Sequence, residues 1–132
     1  MIVVDASCLC EVLVAGPAAE SIRQRLLADP DQAAPHIVDV EVFGIVQRLQ
    51  MIGAIDETTA GLSIDGLRRW PGERFGHRPL LDRAWELRAN VRGWDAMYVA
   101  LAEILGAPLL TLDRRLADAS GPQCEIEVPG PE

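Results

Sequence analysis

Short apolar runs typical of β-strands alternate with helical patterns along most of this chain of 132 residues. The strand-like runs lie at 2–5, 33–35, 108–112 and 124–128, and the segment 69–77 is a weak strand or a loop. Parallel strands need crossover connections, which are usually helices that cover both faces of the sheet. The alternation therefore predicts an α/β fold with a mainly parallel sheet of four or five strands.

Helical patterns fill the intervals between the strands. They are predicted at 7–14, 17–28, 39–51, 56–67, 79–89, 94–105 and 113–119. The first two form an αα-hairpin beside the first strand. Ser7 and Asp39 are of the residue types that cap helix N-termini, so each is predicted to cap its helix. The helix at 94–105 is apolar nearly all round, which is typical of a buried helix.

The composition is that of one soluble globular domain over residues 1–132, with 49% hydrophobic and 24% charged residues. All 12 basic residues are arginine, so an active-site lysine is excluded. The formal net charge of −8 does not support non-specific electrostatic binding of nucleic acid. The chain opens directly on an apolar strand pattern, and its longest apolar stretch, 96–102, is far below membrane-spanning length. No signal peptide, no membrane segment and a cytoplasmic location are therefore expected.

Four acidic residues interrupt segments that otherwise look apolar. They are Asp5, Glu41, Asp95 and Asp113. Burying a carboxylate is costly unless a positive group binds it. Asp5 and Asp113 each end a strand-like run, and Asp95 opens the long apolar helix. These are positions at the carboxyl edge of a parallel sheet, where ligand sites form, and the simplest positive partner for such a cluster is a divalent metal ion.

Carboxylates in this arrangement suit Mg²⁺ or Mn²⁺, which prefer hard oxygen ligands. Three or four of them can hold one or two ions and orient a water for in-line attack on a phosphodiester. One carboxylate can also accept the proton of that water. Without a metal ion the carboxylates repel one another, so at least one is expected to have a raised pKa.

Each acid also has a purely structural interpretation. Asp5, Asp95 and Asp113 could cap the helices near which they lie. Glu41 could be a solvated helix residue. Both interpretations are common for single residues of these types, and the functional hypothesis depends on all four acids occurring together.

Other reactive and aromatic residues carry weaker signals. His36 and His77 are isolated in the sequence, which favours surface or hydrogen-bonded structural roles. The cysteines lack metal-ligand spacing and are predicted to be buried free thiols: Cys8, Cys10 and Cys124. The tryptophans are predicted to lie in the core or at an interface rather than to stack on bases: Trp70, Trp85 and Trp94.

Four segments resemble those of a known family. They are V-V-D-A-S at the start, P-H-I-V-D-V-E-V-F in the middle, W-D-A-M-Y-V-A-L-A-E, and P-L-L-T-L-D-R-R-L-A. Together they resemble PIN domains and, more closely, the VapC-type toxins of bacterial toxin–antitoxin pairs, over residues 1–119. The resemblance implies a PIN-like three-layer α/β/α sandwich. It also implies a Mg²⁺- or Mn²⁺-dependent endoribonuclease that hydrolyses RNA phosphodiester bonds.

The resemblance assigns roles to individual residues. The implied catalytic and metal-binding acids are Asp5, Glu41, Asp95 and Asp113, with Asp5 and Asp95 first among the metal ligands. Thr111 is expected to hydrogen-bond a carboxylate or a phosphate, and Ser7 is a further supporting candidate. Arg92 stands where relatives often carry a threonine, and either an RNA phosphate or a surface ion pair is its expected partner.

Family analogy further implies a homodimer and a cognate VapB-type antitoxin whose C-terminal segment covers the site. An arginine from such a partner could enter the acidic pocket. Apolar residues of the hairpin and of the Glu41 helix are candidates either for the covered surface or for the core: Leu9, Val12, Leu13, Phe43 and Val46.

The same residues argue against two other classes of protein and leave two alternatives open. A phospho-acceptor signalling module would need a lysine, and a dehalogenase-like phosphatase would need an acid where Ser7 stands. A PIN nuclease that processes RNA or DNA without an antitoxin stays open, as does a catalytically silent PIN scaffold.

Overall fold

The structure, a computed structural model, describes residues 1–130, and its sheet is fully parallel. The strands are β1 (Ile2–Val4), β2 (Gln32–Pro35), β3 (Glu73–Phe75), β4 (Leu109–Leu110) and β5 (Ile126–Glu127). They lie in the order β3-β2-β1-β4-β5, and each neighbouring pair is parallel. The predicted α/β fold with a mainly parallel sheet is therefore confirmed, and the weak segment 69–77 supplies the edge strand β3.

Helices occupy the intervals between the strands. They are α1 (Ala6–Leu13), α2 (Ala19–Leu27), α3 (Ile37–Met51), α4 (Glu57–Arg69), α5 (Leu81–Glu86), α6 (Gly93–Leu105) and α7 (Arg114–Asp118). The predicted αα-hairpin is present, since α1 packs on α2, and α1 also packs on α3 and α4. Helix α6 contacts β1, β2 and β4, so it lies against the centre of the sheet. None of the helices formed by residues 1–130 is both long enough and apolar enough to cross a membrane.

The middle of the sheet is completely buried. The three residues of β1 have no exposed surface, and Val3 pairs with Ala33 of β2 and with Leu109 of β4. Near-continuous apolar strands of this kind are typical of parallel sheets that are covered on both faces. The chain leaves β1 at Asp5 and leaves β4 at Thr111. Both residues therefore lie at the carboxyl edge of the two central strands.

Helix α6 is buried over most of its length, as its apolar pattern predicts. Its buried residues are Ala96, Tyr98, Val99, Ala100, Leu101 and Ala102. The helix ends at Gly106, which adopts a left-handed conformation with φ of 62°. Glycine takes that conformation without the steric cost that a Cβ atom imposes.

The predicted cap of α1 is wrong. Helix α1 begins at Ala6, so Ser7 lies inside the helix and Asp5 occupies the N-cap position. The Asp5 side chain makes no cap hydrogen bond. The Ser7 hydroxyl donates to the Asp5 carboxylate instead, so both side chains serve a contact that helix-capping rules do not anticipate.

The predicted cap of α3 is also wrong. Helix α3 begins at Ile37, which puts His36 at the N-cap position and Asp39 in the first turn. Asp39 forms an ion pair with Arg74 of β3, with 2.8 Å between Oδ1 and Nη2. The partner of Asp39 therefore lies on a strand that is distant in sequence, where local patterns cannot reveal it.

His77, Cys8 and Cys10 have the structural character predicted from the sequence, whereas Cys124 is less buried than predicted. The Ile37 N–H donates to His77 Nε2 at 3.0 Å, so His77 has a hydrogen-bonded structural role. Cys8 and Cys10 are buried free thiols, and Cys124 is a half-buried free thiol.

Most of the apolar residues considered for a partner surface belong to the core. Leu9 and Val46 are buried, and Val12 and Leu13 pack partly buried against the core. Phe43 is the exception, because 53% of its surface is exposed. The core interpretation therefore accounts for four of these five residues.

Arg74 joins β3 to the end of α4, and its removal should destabilise the fold. Besides Asp39, its guanidinium bonds the carbonyl oxygens of Leu67, Trp70 and Gly72. We expect Arg74→Ala to lower the free energy of unfolding by about 2 kcal/mol, because it leaves several acceptors without a donor. Urea denaturation would measure this loss.

Arg69→Ala is the control, since Arg69 pairs with Asp65 on exposed surface. This substitution should lower the free energy of unfolding by less than about 1 kcal/mol. Equal losses in the two variants would contradict the role given to Arg74.

Candidate active site

One open cavity at the carboxyl edge of the sheet brings the predicted acids together. Its volume is about 480 Å³. Its acidic lining residues are Asp5, Glu41, Asp95 and Asp113. They come from the end of β1, the first half of α3, the first turn of α6 and the N-cap position of α7. The parallel topology thus collects at one place side chains that are far apart in the sequence.

Asp5 is the most deeply buried of these acids, with 7% of its surface exposed. Thr111 Oγ1 and Ser7 Oγ both donate to Asp5 Oδ2, at 2.6 Å and 2.9 Å. Burial raises the pKa of Asp5 above its ordinary value, and the two hydroxyl hydrogen bonds oppose that rise. The hydroxyls therefore stabilise the ionised form of a carboxylate in an unfavourable location.

The same two hydroxyls hold the loop that follows β4. The Leu112 N–H donates to Ser7 Oγ at 3.2 Å, and the Asp113 N–H donates to Thr111 Oγ1 at 3.1 Å. Thr111 has no exposed surface. Of the two partners expected for Thr111, the structure therefore shows the carboxylate, and a phosphate would have no access to its hydroxyl.

Glu41 is half-buried and accepts a hydrogen bond from a buried tyrosine. Tyr98 Oη on α6 donates to Glu41 Oε1 at 2.7 Å. Burial raises the pKa of Glu41, the bond from Tyr98 opposes this rise, and the charges of Asp5 and Asp95 add to it. Burial also raises the pKa of Tyr98 well above its ordinary value, so the phenol keeps its proton and acts as a donor. Glu41 is therefore not simply a solvated helix residue.

Tyr98 is a site residue that the sequence did not predict. The available signal was a hydroxyl-bearing side chain in an otherwise apolar helix, one turn after Asp95. A buried tyrosine hydroxyl usually has a hydrogen-bond partner. That rule indicates that a partner exists, but it does not identify Glu41, which lies on a different helix.

Asp95 and Asp113 complete the acidic lining of the cavity. Asp95 lies in the first turn of α6, and burial followed by the charges of Asp5 and Asp113 raises its pKa. Arg92 and Arg115 oppose that rise. Asp113 Oδ1 accepts a hydrogen bond from the Arg115 N–H at 2.9 Å. Asp113 is therefore a helix cap, as the structural interpretation predicted, and it also faces the cavity.

Arg92 borders the cavity at the N-cap position of α6, and its side chain is exposed. Within residues 1–130 it forms no ion pair. The surface ion pair considered for it is therefore not present. The guanidinium is left available beside a cavity of opposite charge.

The donor set matches a hard divalent cation in its chemistry. Carboxylate oxygens are the ligands that Mg²⁺ and Mn²⁺ prefer. Asp5, Glu41 and Asp95 all have raised pKa values, first because they are buried and then because acidic neighbours lie near them. In the described part of the chain, no three acid, histidine or cysteine side chains already stand close enough to hold one ion. The four acids therefore share one cavity without gathering around a single point.

A family model and individual relatives agree on the class of this protein. The model of the PIN domain matches residues 2–122. The chain belongs to the PIN domain family. It is 39% identical over 127 residues to Ribonuclease VapC1 of Mycobacterium tuberculosis, with 96% of each chain covered, and 36% identical over 128 residues to Ribonuclease VapC12 of the same organism, with 97% and 98% covered. These relatives place it among the VapC-type ribonucleases, as its segments predicted.

Solved structures share the fold. A toxin–antitoxin complex from Klebsiella pneumoniae contains a chain with a TM-score of 0.69 and 18% identity, with all of both chains covered. The crystal structure of Mycobacterium tuberculosis VapC20, described as a sarcin–ricin loop cleaving toxin, has a TM-score of 0.65 and 16% identity and covers 89% of this chain and 94% of its own. At these identities the structures show a common fold.

Because burial raises the pKa of Glu41, the folded chain holds this proton more tightly than the unfolded chain does. The stability that the proton contributes is complete below the unfolded pKa of about 4.3 and is lost as pH rises through the folded pKa. Glu41→Gln keeps an acceptor for Tyr98 and removes the charge. We therefore expect the metal-free variant to be more stable than the wild type at pH 8, with a difference that shrinks toward pH 4. Thermal unfolding in EDTA at pH 8 and at pH 4 would measure the difference in stability at each pH.

Glu73→Gln is the control for this experiment, because Glu73 is exposed on β3 and lies outside the cavity. We expect it to unfold like the wild type at both pH values. A Glu41→Gln variant less stable than the wild type at pH 8 would show that ionised Glu41 does not destabilise the metal-free fold.

Proposed function

We propose that this chain is a metal-dependent endoribonuclease that acts as the toxin of a type II toxin–antitoxin pair. The observation that carries the proposal is the convergence of four carboxylates from four separate elements on one open cavity. Membership of the VapC-type ribonucleases supports RNA as the substrate. The proposed catalytic and metal-binding residues are Asp5, Glu41, Asp95 and Asp113.

The proposed cofactor is Mg²⁺ or Mn²⁺. Asp5 and Asp95 are the proposed principal ligands, and Glu41 and Asp113 complete the set. When bound, such an ion stabilises charge on the phosphoryl oxygens and lowers the pKa of an attacking water. The half-buried positions of Glu41 and Asp95 keep oxygens accessible from the cavity while reducing their hydration.

The remaining steps belong to side chains that the structure positions. Thr111 and Ser7 orient the Asp5 carboxylate by bonding the same oxygen, Oδ2. Tyr98 orients Glu41 by bonding Oε1, and Glu41 is the proposed acceptor of the water proton, because its half-buried carboxylate lines the cavity. Arg92 is proposed to bind an RNA phosphate, since its exposed guanidinium borders the cavity.

The proposed partners are a VapB-type antitoxin and a second copy of this chain, and the proposed location is the cytoplasm. The Klebsiella pneumoniae structure with the same fold is a toxin–antitoxin complex, which supports the antitoxin. An upstream neighbouring reading frame that encodes a small DNA-binding protein would support the toxin role. A solitary gene would favour a nuclease that processes nucleic acid without an antitoxin.

Replacing Asp5 should abolish cleavage while leaving the fold intact. Asp5→Asn keeps the shape and an acceptor for Thr111, so we expect a folded protein whose ribonuclease rate in Mn²⁺ falls by about 100-fold or more, because several kcal/mol of charge stabilisation depend on the metal ligands. Gel assays on total RNA would measure cleavage. Asp118→Asn is the control, because Asp118 is exposed at the end of α7. Equal cleavage by the Asp5→Asn variant and the wild type would defeat the catalytic assignment and favour a silent scaffold.

The hydroxyl of Thr111 should matter through Asp5 rather than through the substrate. Thr111→Val removes the donor at 2.6 Å from Asp5 Oδ2, and we expect Mn²⁺ affinity, measured by calorimetry, to fall by about 10- to 100-fold. Thr111→Ser keeps the hydroxyl and should stay within about 3-fold of the wild type, since the hydrogen bond is retained. Identical affinities in the valine and serine variants would show that the bond does not position Asp5 for metal.

A further inference from the structure

An exposed indole stands at the rim of the acidic cavity. Trp94 is the second residue of α6 and has 67% of its surface exposed, although the helix that it begins is otherwise mostly buried. It lines the same cavity as the four acids, directly beside Asp95 in the chain. The sequence predicts that this tryptophan lies in the core or at an interface rather than stacking on bases, and its exposure shows that the core alternative is wrong. Its position beside the carboxylates calls for an explanation that a core residue would not need.

Arginine side chains border the same region. Arg92 lines the cavity with Trp94, and it also lines two adjoining hollows. One of these hollows is shared with Arg115, and the other with Arg88. The chain as a whole has a net charge of −8, yet three of its arginines lie at the rim of this cavity or beside it. Of these, Arg115 pairs with Asp113, and Arg92 is left to contact phosphate. Such a rim can attract an anionic chain toward the carboxylates even though the whole molecule is acidic.

We infer that Trp94 stacks on an unpaired base of the RNA substrate, next to the phosphodiester that is cut; this inference rests on the proposed function. Aromatic rings beside arginines form the usual platform for single-stranded nucleic acid, because bases present a flat face and phosphates present negative charge. A base inside a duplex has both faces covered by its neighbours. Trp94 therefore selects a single-stranded segment, such as a loop.

The charge of the chain favours a contribution from stacking to RNA affinity. Of the arginines near the cavity, Arg115 is paired with Asp113, so phosphate contacts alone give limited affinity. Stacking on an aromatic ring contributes without regard to net charge and varies little with salt. Trp94 is the exposed aromatic side chain that lines the acidic cavity within residues 1–130. It thus supplies an attraction for RNA that does not depend on the net charge of −8.

A second tryptophan provides a matched control. Trp85 on α5 has 66% of its surface exposed, almost the same as Trp94. It lies outside the acidic cavity, and the Arg88 guanidinium carbon is 4.3 Å from the centre of its ring. Trp85→Ala therefore removes an equally exposed indole from the hollow that Arg88 and Arg92 share, outside the cavity that contains the carboxylates.

The test measures RNA binding without cleavage. All variants are made in the Asp5→Asn background, in the full-length chain with Mn²⁺, and fluorescence anisotropy follows a labelled single-stranded RNA of twelve mixed nucleotides and the same RNA with abasic sugars. We expect Trp94→Ala to weaken binding of the intact RNA by about 10-fold and to leave binding of the abasic RNA unchanged. Trp94→Phe should stay within about 3-fold of the parent, since it keeps a ring for stacking. Trp85→Ala should bind like the parent.

Further variants separate stacking from charge. Arg92→Gln should reduce the slope of log affinity against log salt by about 0.7, as expected for one phosphate contact to a single strand, whereas Trp94→Ala should leave the slope unchanged. Sedimentation of each variant measures the oligomeric state.

Three kinds of result would overturn the inference. The first is an equal loss of RNA affinity in Trp94→Ala and Trp85→Ala. A loss in Trp94→Ala that is equal for the intact and the abasic RNA is of the same kind. The second is a change of oligomeric state in Trp94→Ala with RNA affinity unchanged, which would assign the indole to contact with a second copy of the chain. The third is binding of the abasic RNA by the Asp5→Asn parent that is as tight as its binding of the intact RNA. In a separate measurement without the Asp5→Asn change, cleavage that is unaffected by Trp94→Ala would retain the proposed function and refute the role of Trp94.

Discussion

The structure depends on a carboxylate that is buried where the central strand ends. Asp5 follows β1, and its backbone N–H donates to the Leu110 carbonyl at 2.9 Å, which fixes it against β4. A carboxylate in this place is costly unless hydrogen bonds and a counter-charge compensate it. The hydroxyls of Thr111 and Ser7 supply the hydrogen bonds, and the same hydroxyls accept backbone N–H groups of the loop that carries Asp113. The contacts that hold one acid therefore also position the next.

The acidic cavity is unfavourable for the folded chain by itself. Burial is the first cause of the raised pKa at Asp5, at Glu41 and at Asp95, and each of these acids is raised further by at least one of its acidic neighbours. A raised carboxylate pKa means that ionisation costs folding free energy. A cation that binds only the folded chain would recover this cost, so the destabilising effect of the ionised acids and the affinity for such a cation would have the same origin. Sites of this kind commonly trade stability for function.

The location of the site followed from topology that the sequence makes visible. Asp5 ends one apolar run, Asp113 follows another, and parallel strands bring such ends to the same edge. The side chains at the starts of α1 and α3 could not be predicted in the same way. Asp39 looked like a cap because of its residue type, but an ion pair with Arg74 on β3 gives it a different role. Tyr98 looked like core because its ring is buried, and only the fold shows that its hydroxyl meets Glu41 on another helix. Sequence patterns thus located the acids, while the side chains that orient them depend on contacts between distant elements.

An acidic protein can bind RNA at one site because the effect of each charge falls off with distance. At physiological ionic strength the field of a charge is screened beyond about 8 Å, so the net charge of −8 acts weakly on a strand that lies at the cavity rim. There the nearest groups are Arg92 and the indole of Trp94, together with the carboxylates that the proposed ion would neutralise. Attraction of a strand at the cavity rim is therefore set by these local groups rather than by the net charge of the whole protein.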